Sequence, residues 1–320
     1  MRLNFTPLLK GILSSFLGMT LLFFSPAQGA SPRVVVSISP LHGLVAGVMK
    51  GVGTPDLLLN PSQSPHTYAL RPTDAQSLAQ ADLIIYVGEG LEDFLEKPLR
   101  SLGKKAKILK LLQEEKLELL PTRSAHLWSR EEEDTCGCHH GPLDPHLWLS
   151  PRNAQIIVDL IEEALSQVDP THASLYHTNG KKLKQQIAHL TLSLEAQLKP
   201  IRSKPYVVFH DGYQYLEHFF DLTGAGALTL HPEMGLAPGT LQKIRRSIEA
   251  GTIQCVFSEA QFPPRLMEAV TQGLTVSKGI LDPYGMGLPV SGSSDSPQEN
   301  PYLTLMKNLA QALVAGLGPS

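Results

Sequence analysis

From Val34 onward, short runs of β-branched and aliphatic residues alternate with stretches whose apolar positions recur every three or four residues. Val34–Ile38, Asp56–Leu59, Leu83–Val87 and a weaker run near Ile108 read as strands of a first half. Tyr206–Phe209, Ala227–Leu230, Ile253–Phe257 and Leu274–Leu281 read as strands of a second. Helices are expected over about Leu41–Lys50, from Pro72 and near Leu91, then from Tyr213, over Gly239–Ala250 and from Pro264. A final helix follows the Gly/Ser/Pro-rich stretch Gly285–Pro297. Thr73 and Gln76 stand at capping-box spacing. Such alternation implies parallel strands with helices on both sheet faces.

Two stretches depart from the rhythm. Ser150-Pro151 has the N-cap and N1 chemistry to open a helix reaching about Val168, and Asp169-Pro170 opens another reaching about Lys199. In the latter Leu183, Ile187, Leu190, Leu194 and Leu198 form one apolar face. At 1.5 Å per residue it spans roughly 45 Å, enough to act as a strut between two domains. Residues 113–145 hold Glu131-Glu132-Glu133-Asp134 followed by Cys136-Gly137-Cys138-His139-His140, and read as a surface loop with no packed core. The expected fold is therefore α/β, with two mostly parallel lobes joined by one long rigid helix. The lobes are placed at 30–168 (including the loop) and 201–320, with the bridging helix at 169–200 and a separate segment at 1–29.

That first segment is an address. Arg2 and Lys10 precede the 14-residue apolar stretch Gly11–Phe24, and Ser25-Pro26-Ala27-Gln28-Gly29-Ala30 supplies small residues for cleavage. The stretch is short of the roughly 20 residues a membrane-spanning helix needs. Removing residues 1–29 takes away Arg2 and Lys10 and no acid, so the formal charge moves from −3 to −5. No basic field attracts nucleic acid. With 42% hydrophobic and 18% charged residues the chain is a folding sequence rather than a disordered one. A soluble, exported protein with a cleaved signal peptide is expected.

Twelve histidines beside two tryptophans is the unusual count. Three histidines and an aspartate fall where the chain leaves a strand or enters a helix: His66, His146, His210 and Asp282, separated by 80, 64 and 72 residues. No local zinc motif has such spacing, so they meet only in the folded chain. In α/β folds the ligand crevice lies at the carboxyl ends of strands, which places a site between the halves. Three imidazoles and a carboxylate suit Zn²⁺, which takes four N, O or S ligands, whereas Mn²⁺ favours more carboxylate. Taken singly, each histidine has core or cap roles open to it.

His66 with Tyr68-Ala69-Leu70-Arg71-Pro72-Thr73-Asp74, Asp144-Pro145-His146-Leu147-Trp148-Leu149-Ser150-Pro151, Phe209-His210-Asp211 and Gly279-Ile280-Leu281-Asp282-Pro283 together resemble the ZnuA-type periplasmic zinc receptors of ABC importers. The resemblance covers essentially the whole chain after the leader. It implies two α/β lobes bridged by a rigid helix, with His66, His146 and His210 as zinc ligands and Asp282 or water as the fourth. It implies Zn²⁺ as transported ligand, with a membrane permease and a separate ATPase as partners. The manganese receptors of the superfamily carry a carboxylate where His210 stands, which favours zinc.

Departures from the family pattern mark other residues. The long His/Asp-rich loop of many zinc receptors is reduced here to His126, His139 and His140 beside the acidic run. Cys136, Cys138, His139 and His140 form either a secondary metal site or a solvated loop without one, and the two cysteines are also candidates for a strained disulfide. Cys255 stands where relatives have a strand cysteine paired with one in the last helix, but Leu309–Ser320 has no cysteine, so Cys255 is expected to be a buried small hydrophobe. His231 and Glu259 follow strands and are candidates to orient a ligand histidine, or ordinary loop residues. Asp211 reads as a local cap, and His42 as a first-turn helix residue. Alternatives are a manganese or iron receptor, an adhesin on the same scaffold, or a zinc hydrolase. The last lacks both HExxH and G-x-S-x-G, so no enzyme is expected.

Overall fold

The computed structural model describes residues 31–128, 142–230, 232, 238–288 and 299–318. The expected signal segment lies outside them. In the first half, β1 (Val34–Val36), α1 (Ser39–Val48), β2 (Asp56–Leu57), α2 (Pro72–Gln80), β3 (Leu83–Tyr86), α3 (Asp93–Leu102) and β4 (Lys107–Lys110) follow in order. The strands make a wholly parallel sheet in the order β2-β1-β3-β4. Val35, Ile84 and Tyr86 pack on one face against Leu78, Leu95 and Leu99 of α2 and α3. Val34, Val36, Leu83 and Ile85 turn the other way into the main core with α1. Burial on both faces is why these strands read as unbroken apolar runs.

The expected helix pair comes next, α4 (Pro151–Val168) and α5 (Ala173–Leu198). Ser150 Oγ accepts from Asn153 N at 3.3 Å, and Pro151 occupies N1, where its missing N–H costs nothing. The 26 residues of α5 span about 39 Å, and its buried stripe is Tyr176, Gly180, Leu183, Ile187, Leu190, Leu194 and Leu198.

The second half contains β5 (Tyr206–His210), α6 (Gln214–Phe220), β6 (Gly224–Thr229), α7 (Pro238–Glu249), β7 (Cys255–Glu259), α8 (Arg265–Thr271), β8 (Ser277–Leu281) and α9 (Pro301–Leu317). Its sheet is again parallel, in the order β6-β5-β7-β8. Both α5 and α9 pack on α1, and α9 also packs on β7 and β8. One continuous apolar core therefore runs from Val36 and Leu44 through Leu183 and Leu194 to Phe257, Leu309 and Leu313. Cys255 is buried and unbonded, and burial pushes its thiol up to about 12, as suits a small core residue.

Two local expectations need correction. Helix α2 starts at Pro72, which makes Asp74 rather than Gln76 its N3 residue. The Asp74 carboxylate accepts from Arg71 N at 2.8 Å and from Tyr68 Oη at 2.6 Å. The segment after β4 is also not coreless. Leu117 is buried in the main core, and residues 126–128 lie along the edge of β6. There Ala227 N donates to His126 O at 2.9 Å and Trp128 N to Ala225 O at 3.0 Å. Gly226 permits this approach, since a Cβ there would sit 2.3 Å from His126 O.

Candidate metal centre

The three histidines arrive on three different supports. His210 is the last residue of β5 and is fully buried. His146 precedes the short turn Leu147–Leu149 that leads into α4, and is 2% exposed. His66 sits in the turn Pro65–Thr67 between β2 and α2 and is partly exposed. In the β6-β5-β7-β8 sheet the strand order reverses direction between β5 and β7, where ligands of α/β folds gather. His210 and Glu259 stand side by side at those two strand ends.

The ring nitrogens of His66, His146 and His210 all lie within 4.8 Å of one another. Nε2 of His146 is 3.4 Å from Nε2 of His66 and 3.1 Å from Nε2 of His210. Two nitrogens bound about 2.0–2.1 Å from one tetrahedral ion stand about 3.3–3.4 Å apart, so the spacing fits Zn²⁺. Among the described residues no carboxylate joins this group. Asp282 is engaged elsewhere: Oδ1 accepts from Gln261 Nε2 at 2.7 Å, Gly285 N at 2.9 Å and Tyr284 N at 3.1 Å, and Oδ2 accepts from Met286 N.

Two carboxylates orient the rings. Both oxygens of Glu259 accept from His210 Nδ1, at 2.6 and 2.7 Å, and Oε1 also accepts from His210 N at 3.1 Å. Asp144 Oδ1 accepts from His146 Nδ1 at 2.8 Å and His146 N at 2.9 Å. With Nδ1 protonated, Nε2 keeps its lone pair and faces the shared point. Gly212 leaves room for this: a Cβ there would come 2.5 Å from His210 Nε2 and 3.2 Å from His146 Nε2.

The surroundings are acidic, and around His146 and His210 they are buried. Arg123 Nη1 donates to Asp211 Oδ1 at 3.1 Å and Glu217 Oε2 at 2.8 Å, while its guanidinium stacks 3.8 Å over Trp128. Asp211 is therefore an ion-pair partner rather than a local cap. Burial pushes Asp211 up to about 7 against the pull of Arg123, and Asp144 up to about 6. Burial alone would depress His210, but the charge and hydrogen bond of Glu259 hold it above its ordinary value. A cavity of about 340 Å³ opens beside His66 and His146, bordered by Arg123, Asp144, Asp211 and Glu89.

Other candidates separate clearly. His126 belongs to the β6 edge, with Nδ1 3.3 Å from Ala227 O. His42 is buried in α1 with Nε2 2.9 Å from Pro55 O. Cys136, Cys138, His139, His140 and His231 lie outside the described residues. Asp144, Arg123, Gly212 and Gln261 were not singled out by sequence as functional. Asp144 and Gly212 carried the same signal, each standing two residues from a candidate ligand, whereas Arg123 and Gln261 carried none.

Residues 34–316 match the family described as zinc-uptake complex component A, periplasmic. The chain is 36% identical to the high-affinity zinc uptake system protein ZnuA of Brucella abortus strain 2308, over 96% of each chain. It is 34% identical to the protein of the same name from Yersinia pestis, over 93% of this chain and 98% of that one. The periplasmic zinc binding protein TroA from Treponema pallidum superposes with a TM-score of 0.74 at 19% identity, covering 90% of this chain and 100% of that one, which speaks for the fold alone. The family match and the near full-length identity agree: the chain belongs to the ZnuA family of periplasmic zinc-uptake components.

Proposed function

We propose that this protein captures Zn²⁺ in the periplasm and delivers it to the membrane permease of an ABC-type importer powered by a separate ATPase. The observation that carries the reading is the convergence of His66, His146 and His210, with Nε2 separations of 3.1 and 3.4 Å matched to one tetrahedral ion. These three are the ligands, and the fourth position is filled by water or Asp282. Glu259 and Asp144 fix the ligating tautomers of His210 and His146. The protein works as a monomeric receptor rather than an enzyme. Residues 1–29 act as a cleaved export signal, and lobes over 30–168 and 201–320 are bridged by the helix within 169–200.

The ligands must be neutral to bind, so uptake releases protons and affinity falls with pH. Calorimetric titration of the metal-stripped protein with Zn²⁺ is expected to show one tight site, greatly weakened in His66→Ala and in His210→Ala. Unchanged affinity in both variants refutes the assignment.

A further inference from the structure

Glu259 and Gln261 leave the same strand end, two residues apart, and serve different neighbours. Glu259 holds His210. Gln261 Nε2 lies 2.7 Å from Asp282 Oδ1 and 3.4 Å from Pro61 O. Both neighbours are acceptors, which fixes the amide with its nitrogen toward them. Pro61 belongs to the loop that carries His66, and Asp282 opens the turn after β8. One side chain thus joins the loop of a first-half ligand to the turn of the second-half carboxylate.

We propose that Gln261 is a positioning residue that holds Asp282 away from the bound ion, and so sets the coordination number and the metal preference of the site. The inference rests on the three-histidine zinc reading. Four donors converge on the Asp282 carboxylate: the backbone N–H groups of Tyr284, Gly285 and Met286, and Gln261 Nε2. Among the described residues only the last is a side chain, and only it ties the carboxylate to the opposite half of the molecule. With Asp282 so engaged, the ion meets three imidazoles and a solvent ligand, the four-coordinate arrangement that Zn²⁺ accepts. A freed Asp282 adds an anionic oxygen, through one or two atoms, and moves the site toward the higher-coordinate, oxygen-richer shell that suits Mn²⁺. Gln261 therefore discriminates by withholding a ligand.

The test uses the purified, metal-stripped protein loaded with Co²⁺ as a spectroscopic probe, since four-coordinate cobalt absorbs visible light several-fold more strongly than five- or six-coordinate cobalt. The parent protein should show the intense four-coordinate bands. Gln261→Ala, and Gln261→Met, which keeps length but removes the donor, should lose most of that intensity. Their preference for Zn²⁺ over Mn²⁺ in competition should fall by about tenfold, the scale of one hydrogen bond to a charged group. The double variant Gln261→Ala/Asp282→Asn should return the parent spectrum, which a general loosening of the fold would not do. Unchanged spectra in both single variants overturn the proposal, as does a spectral change that the double variant fails to reverse. If the parent protein takes up neither Zn²⁺ nor Co²⁺ stoichiometrically, the zinc-receptor reading itself fails.

Discussion

Replacing Glu259 by glutamine keeps the shape of the His210 support and removes its charge. In the native chain both carboxylate oxygens accept the Nδ1 proton, at 2.6 and 2.7 Å, and the His210 and Glu259 side chains are both 0% exposed. A hydrogen bond to a charged group contributes about 1.5–3 kcal/mol and a neutral one about 1 kcal/mol. An amide oxygen facing Nδ1 therefore forfeits roughly 1–2 kcal/mol of ring orientation and basicity, a factor of about 5–30 in the zinc dissociation constant. That overlaps the roughly 10–100-fold losses usual for partners of ligating histidines. Competition against a chromogenic chelator at about pH 8 is the assay.

The pH dependence supplies a second, independent arm. Burial by itself lowers the His210 pKa, and Glu259 reverses that, holding it above the ordinary 6.5. Zinc must displace the Nε2 proton of the charged ring, so native affinity begins to decline while the pH is still above 6.5. Without the carboxylate the burial effect is less opposed, and the decline starts at lower pH. The gap between native and Glu259→Gln affinities should therefore be widest near pH 8 and narrow toward pH 6. A gap below about threefold at pH 8, or one independent of pH, refutes the argument that Glu259 orients and charges His210.

Three other outcomes are expected. Gly212→Ala pushes a methyl group to within 2.5 Å of His210 Nε2, so zinc affinity should fall at least about tenfold, read by the same chelator competition. The metal-free protein should lose thermal stability as pH rises from about 5 to 8. Asp144 (about 6), Asp211 (about 7) and Glu92 (about 7) are raised by burial. The unfolded chain therefore ionises first, near pH 4, and folding is progressively penalised up to about 7. His210, raised above 6.5, adds stability at low pH that is likewise lost as pH climbs through its folded value. His42, lowered by burial, opposes this only below about 6.5, so a thermal midpoint that rises between about pH 6.5 and 8 contradicts the burial of these carboxyls. Ser150→Ala removes the N-cap of α4 and should cost about 1 kcal/mol in denaturant unfolding.

The legible parts of the sequence were those where one local pattern decides the outcome. The four-residue spacing around Leu183, Ile187 and Leu194 gives α5 a buried face wherever it docks. Ser150-Pro151 starts α4 by backbone chemistry alone. The three histidines were legible because each stands at a strand end or turn, and so was Glu259, at a strand end, as one of two readings. Hidden features depend on where distant segments cross. Arg123 reaches Asp211 and Glu217, 88 and 94 residues away, because the chain between β4 and α4 runs along the β6 edge. That path is opened by the missing side chain at Gly226, a signal with many other meanings. Asp282 was read as a ligand or a bystander to water, and its engagement by Gln261 and the following turn has no periodicity to betray it.

The close contact of α1 with α9 bears on how the molecule is made. A Cβ on Gly43 would lie 2.9 Å from Tyr302 N, and one on Gly47 would lie 2.8 Å from both Asn300 Nδ2 and Leu183 Cδ2. The first helix is thus roofed by a segment synthesised some 260 residues later, and Asn300 Nδ2 donates to Gly43 O across that seam at 2.8 Å. A growing chain that has completed its first sheet still leaves the Gly43 and Gly47 face of α1 uncovered until Leu183 and then Asn300 and Tyr302 arrive. Such long-range closure slows folding and leaves sticky surface open meanwhile. A chain stopped before Pro301, which lacks only α9, is then expected to be a substrate for chaperones and proteases rather than a working receptor.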